Sequence, residues 1–479
     1  MDGQNPESAF RIPQSKRLVS ALLDWYAANA RDLPWRRTRD PYAIWVSEIM
    51  LQQTQVKTVI PYWERWMRVL PTVEALARAK PAKIHKLWEG LGYYSRVRNL
   101  QKAAQQIVSR GNARLQPSRR QGNDPQDQKK PESFPEPADP PNGPGAQRSP
   151  TTYGPRTTFQ SGRGLPHSRT LSRPSIEDPS LRAILSVETA TERTGTRKRS
   201  PHPKGRCQGG ASVLASCRFP DNYADLLALP GVGRYTAGAI CSIAFNQPKP
   251  ILDGNVIRVL TRIFGITDNP RERKANARLW EMAARLVETA ARRETGRTRT
   301  KDEDDWAASH FNQSLMELGA LVCLPRNPRC GECPAKNLCA ALREDHVAEL
   351  PNLGRRAAST ERWFAAFVVE HNGRYLVRQR PAGIVNAHLW EFPNVEIQGP
   401  TRGDCGAIAS AAKRLFGQYP AELTSFCTIN HSITRYRITL ETFQAKFERH
   451  RNHAGTWRTP AQMHRLAFAA AHKKVLARL

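Results

Sequence analysis

Residues 229–240 have the sequence LPGVGRYTAGAI, in which two glycines surround a valine directly before a run of small and apolar residues. Glycine lets the backbone turn tightly and approach another group closely, and the N-terminus of a following helix favours negative charge. A plain helix-turn-helix with a glycine turn is an alternative. The complete Leu-Pro-Gly-Val-Gly string favours a helix-hairpin-helix, a motif that holds the DNA backbone without reading base sequence.

The stretch CLPRNPRCGECPAKNLC holds the second strong motif, the cysteines Cys323, Cys330, Cys333 and Cys339. Four thiolates in one short loop suit either an iron–sulfur cluster or a structural zinc ion. Zinc sites usually pair their cysteines as two short knuckles, and the loop has one Cys-x2-Cys pair, so the spacing favours a cluster. Disulfides are disfavoured because the first residues show no secretory pattern.

The composition is strongly basic. The 479 residues include 73 Lys and Arg against 43 Asp and Glu, a formal net charge of +30. This imbalance attracts a polyanion, and nucleic acid is the first candidate, although ribosomal and membrane-surface proteins share the property. The sequence contains no run of 18 apolar residues, which argues against a membrane span. We expect a reducing compartment, either the bacterial cytoplasm, with the protein at the nucleoid, or an equivalent interior space.

The chain divides into segments of different composition. We predict a mainly α core over residues 1–110 and 218–341, a linker over 342–361 and an α+β domain over 362–479. In the core, Asp40-Pro41 has the pattern of a helix cap and a first-turn proline, and the apolar residues that follow predict one or two buried helices. The intervening residues 111–217 hold 15 of the 36 prolines. Such a segment cannot bury enough apolar surface to offset its ordering entropy, so we predict a disordered basic insertion.

The C-terminal pattern indicates strands. An Asn-Gly turn in His371-Asn372-Gly373-Arg374 lies between the apolar runs WFAAFVVE and YLVRQR, which predicts a β-hairpin. A second strand pair is expected over residues 433–447.

Two carboxylates are candidates for chemistry. Glu48 lies among apolar residues in IWVSEIM, where burial would raise its pKa and let it donate a proton. A helical glutamate is, however, more often solvated surface. Asp253 in ILDGNVIRVL precedes a helix, where aspartate commonly serves as a cap.

Several motifs in order resemble adenine DNA glycosylases of the MutY type: IWVSEIMLQQTQV, GLGYYSRVRNLQKAA, LPGVGRYTAGAI, ILDGNVIRVL, FNQSLMELGALVC and the cysteine loop. The resemblance covers about residues 14–110 and 218–345, and residues 362–447 more loosely. It implies the helix-hairpin-helix glycosylase core shared with endonuclease III, a C-terminal Nudix-like domain, and a [4Fe-4S] cluster on the four cysteines that shapes a DNA-binding loop.

The resemblance implies a reaction. Family members flip adenine out of a mispair with 8-oxoguanine or guanine in double-stranded DNA and hydrolyse its N-glycosidic bond. Glu48 would protonate the adenine ring and Asp253 would stabilise the sugar cation, with Tyr235 and Asn255 in supporting positions. Tyr235 stands where related lyases have a Schiff-base lysine, so the implied enzyme is monofunctional. We expect a monomer.

The resemblance also implies contacts to DNA. The residues that would enter the duplex are Gln53, Thr54, Leu91 and Tyr93, and those that would contact phosphate are Gly231, Val232 and Gly233. The Nudix-like domain would recognise 8-oxoguanine without hydrolysis, because AAKRLFG and its surroundings lack the glutamates of a hydrolase. Thr434 keeps the hydroxyl of the family's Phe-Ser-His loop, whereas Arg435 replaces the histidine.

Two other functions fit parts of the pattern. An endonuclease III-like glycosylase with lyase activity is disfavoured by Tyr235 and by the C-terminal domain. A non-catalytic iron–sulfur DNA-binding protein is disfavoured by the presence of both Glu48 and Asp253.

Overall fold

The computed structural model describes residues 12–115, 218–292, 306–354, 358–401, 404–433, 435–448 and 455–479. Its N-terminal helices are α1 Ile12–Asn29, α2 Pro41–Leu51, α3 Val56–Val69, α4 Val73–Arg78, α5 Pro81–Trp88 and α6 Ser95–Leu115. The helices that follow the gap at 116–217 are α7 Tyr223–Leu227, α8 Arg234–Phe245, α9 Gly254–Phe264, α10 Arg273–Ala291, α11 Ala307–Leu321 and α12 Ala340–Arg343.

The helical part packs around two apolar clusters. The first contains residues from α2 to α8, including the fully buried Trp45, Trp66 and Trp88. The second joins α1, α9, α10 and α11 and includes Phe311. Helix α8 contributes Ile240 to the first cluster and Ala239 to the second. Successive residues of α8 therefore face both clusters, and Tyr235 in its first turn packs against the second.

Helix α2 begins as the sequence predicts. The Asp40 side chain accepts a hydrogen bond from the Tyr42 N–H at 3.0 Å, and Pro41 occupies the first helical position, where its missing N–H costs nothing. Residues Tyr42 to Met50 are all buried. The next helix, α3, starts after a short turn at Gln52–Gln55, so this apolar stretch forms two helices, in line with the prediction.

The helix-hairpin-helix prediction corresponds to α7, the turn at residues 228–233 and α8. Gly231 has φ +78°, and a Cβ there would lie 2.7 Å from Asn99 Cβ on α6. Glycine is required at this position because both the backbone angle and the close approach exclude a side chain. Helix α8 ends at Asn246, which adopts the left-handed conformation with φ +51°.

The C-terminal part is α+β, as predicted. Its strands are β1 Thr360–Val368, β2 Glu370–His371, β3 Arg374–Gln379, β4 Trp390–Glu391, β5 Asn394–Ile397, β6 Glu422–Ile433, β7 Tyr436–Lys446 and β8 Thr456–Arg458. Its helices are α13 Cys405–Phe416, α14 Pro460–His464 and α15 Ala470–Leu476. One sheet has the order β5-β1-β7-β6, with β1 and β7 parallel. In the other, β3 pairs with β2, β4 and β8.

Alternate residues of β1 enter two different clusters. Ala365 and Phe367 pack with α13, while Ala366 and Val368 pack with α15. The first sheet is therefore covered by a helix on each face, which explains why its strand β1 is apolar on both sides.

Three sequence predictions need correction. Residues 111–115 continue α6 to Leu115, because no proline interrupts the helical hydrogen bonds before Pro117; residues 116–217 lie outside the described ranges. The predicted turn at Asn372-Gly373 is present, with positive φ at both residues, yet the first strand of the hairpin is only β2, since β1 pairs with β5 and β7 instead. The predicted strand pair over 433–447 is mostly one strand, β7, which pairs with the preceding β6.

Among the helices of the described ranges, none has the length and apolar character needed to cross a membrane.

The packing of α8 predicts a specific defect. A Cβ at Gly238 would lie 2.1 Å from the Pro250 carbonyl oxygen, which is backbone and cannot rotate away. We expect Gly238→Ala to lower the free energy of unfolding by about 1–3 kcal/mol through overpacking. Thermal unfolding should show a lower Tm for this variant and an unchanged Tm for Gly399→Ala, where nothing lies within 4 Å of the added Cβ. Equal Tm values for all three proteins would contradict this close packing.

Candidate active site and DNA interface

Glu48 is buried on α2, with 4% of its surface exposed. The Tyr235 hydroxyl donates a hydrogen bond of 2.8 Å to Glu48 Oε2. The pKa of Glu48 is raised to about 7, mainly by burial and also by the negative charge of Asp253, while the hydrogen bond from Tyr235 and the charge of Arg36 act in the opposite direction. A carboxyl group with this pKa is half protonated near neutral pH, so it can give up a proton there.

Asp253 is both a helix cap and a neighbour of Glu48. It precedes α9, and its two carboxylate oxygens accept from Val256 N at 2.8 Å and from Asn255 Nδ2 at 3.0 Å. Burial raises the pKa of Asp253, whereas these hydrogen bonds lower it. The bonds fix the carboxylate in one orientation, so the structural and chemical interpretations of this residue are compatible.

Tyr235 lies in the first turn of α8 and packs against the second apolar cluster. Burial raises its pKa, and the charges of Glu48 and Asp253 raise it too, so the phenol stays protonated and remains a donor. Met316 Sδ lies 3.3 Å from the hydroxyl. The structure thus brings together all four residues that the sequence grouped as catalytic: Glu48, Asp253, Tyr235 and Asn255.

A second buried carboxylate near this group was missed by sequence reasoning. Glu317 on α11 accepts from Arg31 Nε at 2.7 Å and from Arg36 Nη2 at 2.9 Å. Burial raises the pKa of Glu317, but the hydrogen bonds from the two arginines lower it more, to about 2. Glu317 is therefore ionised at a pH where Glu48 still holds a proton. Such a separation of pKa values gives two acids different chemical roles. The partners are more than 280 residues apart, and no local sequence signal links them.

Two turns present the predicted duplex-entering residues. Gln53 and Tyr93 are both exposed and have φ values of +57° and +47°. Non-glycine residues rarely adopt this region, and such strain is concentrated at functional sites. The buried Arg96 joins the turns, because its guanidinium donates to Gln52 O at 2.5 Å and to Leu91 O at 2.9 Å. Arg96 is thus a second residue that the motif search overlooked.

The other predicted DNA residues differ in exposure. Thr54 is half-buried and its hydroxyl lies 3.4 Å from Arg96 Nη2. Leu91 is only 5% exposed and packs in the first cluster, so it does not project from the surface as expected. The turn between Gly90 and Gly92 directs Leu91 inward and Tyr93 outward. Tyr94 is buried and packs in the first cluster.

The turn of the helix-hairpin-helix, at residues 228–233, exposes backbone rather than side chains. Gly231 and Gly233 are exposed, while the Val232 side chain is buried in the first cluster. Gly233 forms the N-cap of α8. Backbone N–H groups at the start of that helix are therefore available to an anion.

The four loop cysteines line one largely apolar pocket together with Val259, Leu318 and Val322. The pKa of the Cys333 thiol is raised to about 11, mainly by burial and in smaller part by the other three cysteines, so the four sulfurs are close enough to interact. A cluster of thiolates in an apolar pocket fits a soft metal centre. In the described ranges, no group of three or more His, Cys, Asp or Glu is spaced to hold a single metal ion.

Helix α9 connects this loop to the carboxylates. Arg258 donates to Asn255 Oδ1 at 2.9 Å and to Cys323 O at 2.8 Å. One turn later, Arg262 donates to Leu324 O at 2.7 Å. The cysteine loop is therefore hydrogen-bonded to the same helix whose first residues orient Asp253.

The C-terminal prediction is tested only in part. Thr434 lies outside the described residues. Helix α13 contains no acidic residue, and its N-cap Asp404 accepts from Gly406 N and Ala407 N. Its carboxylate is thus engaged by the helix.

Comparison with known proteins identifies both parts. Residues 46–285 match the profile described as HhH-GPD superfamily base excision DNA repair protein, which is half of the chain, and residues 365–478 match a NUDIX domain. These matches confirm the predicted fold class of a helix-hairpin-helix core followed by a Nudix-like domain.

Similar curated proteins are named adenine DNA glycosylase. The protein from Arabidopsis thaliana is 29% identical over 471 residues, and the alignment covers 89% of this chain and 55% of that protein. The Homo sapiens protein is 28% identical, covering 95% and 72%. The Buchnera aphidicola (Schizaphis graminum) protein is 26% identical, covering 78% and 74%. The chain thus spans little more than half the length of the plant relative.

The raised pKa of Glu48 predicts a pH-dependent stability. Between pH 4.5 and about 7 the folded protein retains a proton that the unfolded chain releases. Stability from this group is therefore lost as pH rises through that range. We expect Glu48→Gln to raise the free energy of unfolding at pH 8 by up to about 3 kcal/mol, and much less at pH 5.

Thermal unfolding of both proteins at pH 5 and pH 8 measures the difference. The control Glu422→Gln removes an exposed carboxylate and should leave the Tm nearly unchanged at both pH values. A Glu48→Gln protein that is destabilised equally at pH 5 and pH 8 would show that Glu48 is not a strained buried acid.

Proposed function

The chain belongs to the HhH-GPD superfamily of base excision DNA repair proteins, and we propose that it is an adenine DNA glycosylase that hydrolyses the N-glycosidic bond of adenine mispaired with 8-oxoguanine or guanine. The observation that carries this proposal is the buried Glu48, with its pKa near 7, beside Asp253. Curated relatives of that name extend over most of this chain.

The two carboxyl groups have complementary roles in the proposed reaction. Glu48 donates its proton to a ring nitrogen of the flipped adenine, which makes the base a better leaving group. Asp253, oriented by Val256 N and Asn255 Nδ2, then stabilises the positive charge that develops on the sugar. Paired carboxyl groups act by the same logic in glycoside hydrolysis.

Tyr235 orients the acid and limits the chemistry. Its hydroxyl donates to Glu48 Oε2, which favours one rotamer of the carboxyl and stabilises the carboxylate after proton transfer. A phenol cannot form the Schiff base of a lyase, so the proposed enzyme releases adenine and leaves the DNA strand intact.

The DNA contacts follow from the exposed turns. Tyr93 and Gln53 would enter the duplex, where an inserted ring offsets part of the cost of unstacking, while the backbone at Gly231 and Gly233 holds a phosphate. The C-terminal domain would recognise 8-oxoguanine on the opposite strand. We further propose that the protein acts as a monomer on double-stranded DNA at the nucleoid of the bacterial cytoplasm.

A [4Fe-4S] cluster held by Cys323, Cys330, Cys333 and Cys339 is part of the proposal. The shared apolar pocket and the number of thiolates support it. A bound cluster would cross-link the loop and contribute to its folding, and it would supply no reacting group. Arg326, Arg329 and Lys336 in the same loop provide positive charge for DNA.

A duplex assay tests the function. The protein is incubated with labelled duplexes that carry adenine opposite 8-oxoguanine, guanine or thymine, and strand breaks are measured with and without alkali. We expect breaks only after alkali, and only for the first two duplexes. Breaks without alkali would indicate a lyase, and intact adenine in every duplex would overturn the proposal.

Removing the acid separates chemistry from binding. Glu48→Gln cannot protonate adenine, so we expect the single-turnover rate to fall by about 10²-fold or more, with an unchanged Kd for the duplex. Glu422→Gln, in the exposed pair with Lys446, should retain the wild-type rate. A Glu48→Gln protein with the wild-type rate would mean that another residue is the acid.

The cluster proposal is tested on purified protein without any activity measurement. We expect the wild-type protein to contain iron and sulfide in equal amounts and to show visible charge-transfer absorption. Cys333→Ser should lose the iron, the sulfide and the absorption. A colourless protein that contains zinc would contradict the proposal.

A further inference from the structure

Glu89 is a buried carboxylate that no motif identifies. It directly follows α5, and 5% of its side chain is exposed. It accepts hydrogen bonds from Lys86 Nζ at 2.8 Å, from Lys473 Nζ at 2.8 Å and from Phe468 N at 3.0 Å. Lys86 belongs to the helical core, whereas Phe468 and Lys473 belong to the C-terminal domain.

The position of Glu89 makes these contacts necessary. A carboxylate at the C-terminus of a helix is disfavoured by the helix dipole, and a buried charge without partners is strongly destabilising. Two of the three donors come from the C-terminal domain, so the docked domain supplies most of the hydrogen bonds that offset the burial of Glu89. Nearby, Lys86 Nζ also donates to Leu466 O at 3.1 Å, and Arg98 Nη1 donates to Ala387 O at 3.2 Å.

On the core side, Glu89 continues directly into the turn that presents Tyr93. The Tyr62 hydroxyl donates to the Glu89 carbonyl at 2.8 Å, and a Cβ on Gly90 would lie 2.3 Å from the same hydroxyl. Trp88 Nε1 donates to Gly92 O at 3.1 Å. The turn is therefore held closely, and a displacement of Glu89 must change the backbone that places Tyr93.

On the other side, Glu89 contacts a buried segment of the C-terminal domain. Phe468, whose N–H it accepts, is fully buried in the cluster beside α15. The neighbouring residues pair with β4, since Trp390 N donates to Ala467 O and Ala469 N donates to Trp390 O, both at 2.9 Å. One carboxylate thus joins the Tyr93 turn to a sheet of the C-terminal domain.

We propose that Glu89 is a positioning residue that couples the docking of the C-terminal domain to the Tyr93 turn, and so sets how strongly the enzyme distinguishes 8-oxoguanine from guanine opposite adenine. This inference rests on the proposed function, in which the C-terminal domain holds the lesion. When that domain engages 8-oxoguanine, the Glu89 contacts fix the turn that enters the same duplex. Guanine offers the C-terminal domain fewer contacts than 8-oxoguanine does, so the Tyr93 turn is less constrained.

The first test measures coupling without substrate. Hydrogen exchange is followed in peptides that cover residues 89–96 and 466–473 in wild type, Glu89→Gln, Lys473→Met and the control Glu422→Gln. Lys473 is 47% exposed, so its variant should fold even if Glu89→Gln is impaired. We expect faster exchange than in wild type in both peptides for Glu89→Gln and Lys473→Met, and wild-type exchange for Glu422→Gln. Unchanged exchange in either peptide would overturn the coupling.

The second test measures discrimination. Single-turnover rates with 8-oxoguanine·adenine and guanine·adenine duplexes are compared at enzyme concentrations corrected for active fraction. We expect the ratio of the two rates to fall by about fivefold or more in Glu89→Gln and Lys473→Met, as for loss of a charge-assisted hydrogen bond. A change that only destabilises the protein would alter the active fraction and leave this ratio at the wild-type value. A wild-type ratio in both variants would therefore overturn the proposal.

The two tests separate this inference from the proposed function. If wild type releases no adenine from either duplex, the proposed function and the discrimination claim fail together, while the exchange experiment still decides whether Glu89 couples the domain to the turn. If wild type is active and the ratio is insensitive to both variants, only the inference about Glu89 fails.

Discussion

The hydrogen bond between the Tyr235 hydroxyl and the buried Glu48 carboxyl is the interaction on which the site depends. Glu48 is on α2, within the first apolar cluster, and Tyr235 is on α8, which contributes to both clusters. The bond therefore crosses the region where the two halves of the helical core meet. Burial keeps Glu48 protonated at a pH where an exposed glutamate is ionised, and this costs stability above pH 7. The surrounding Trp and Leu packing must offset that cost.

The other functional elements are fixed relative to this bond by long polar side chains. Arg96 ties together the turns of Gln53 and Tyr93, and Arg258 connects Asn255 with the cysteine loop. Glu89 extends the same principle to the C-terminal domain through Phe468 and Lys473. These groups are buried, so each charge requires several partners, and the partners come from distant segments of the chain.

Local sequence signals predicted the features that depend on local physics. Asp40-Pro41 predicted the start of α2, Asn372-Gly373 predicted a turn with positive φ, and the Leu-Pro-Gly-Val-Gly string predicted the hairpin before α8. The apolar surroundings of Glu48 predicted its raised pKa. In each case the residues responsible lie within a few positions of one another.

Features that depend on distant contacts were not predictable in this way. The pairing of Glu317 with Arg31 and Arg36, and of Glu89 with Phe468, joins residues more than 280 positions apart. The inward orientation of Leu91 follows from the positive φ of Gly90 and Gly92, which a motif match does not specify. Similarly, β1 is a central strand that pairs with β5 and β7, which are distant in sequence, and a helix covers each of its apolar faces.

In the proposed reaction, Glu48 acts as the acid because burial raises its pKa to about 7. The most direct measurement is the single-turnover rate of adenine release between pH 5 and pH 9, with DNA binding saturated throughout. We predict that the rate falls as pH rises through about 7, tenfold per pH unit on the alkaline side, since only the protonated carboxyl can donate. A rate that stays constant or rises across this range would show that Glu48 does not donate the proton.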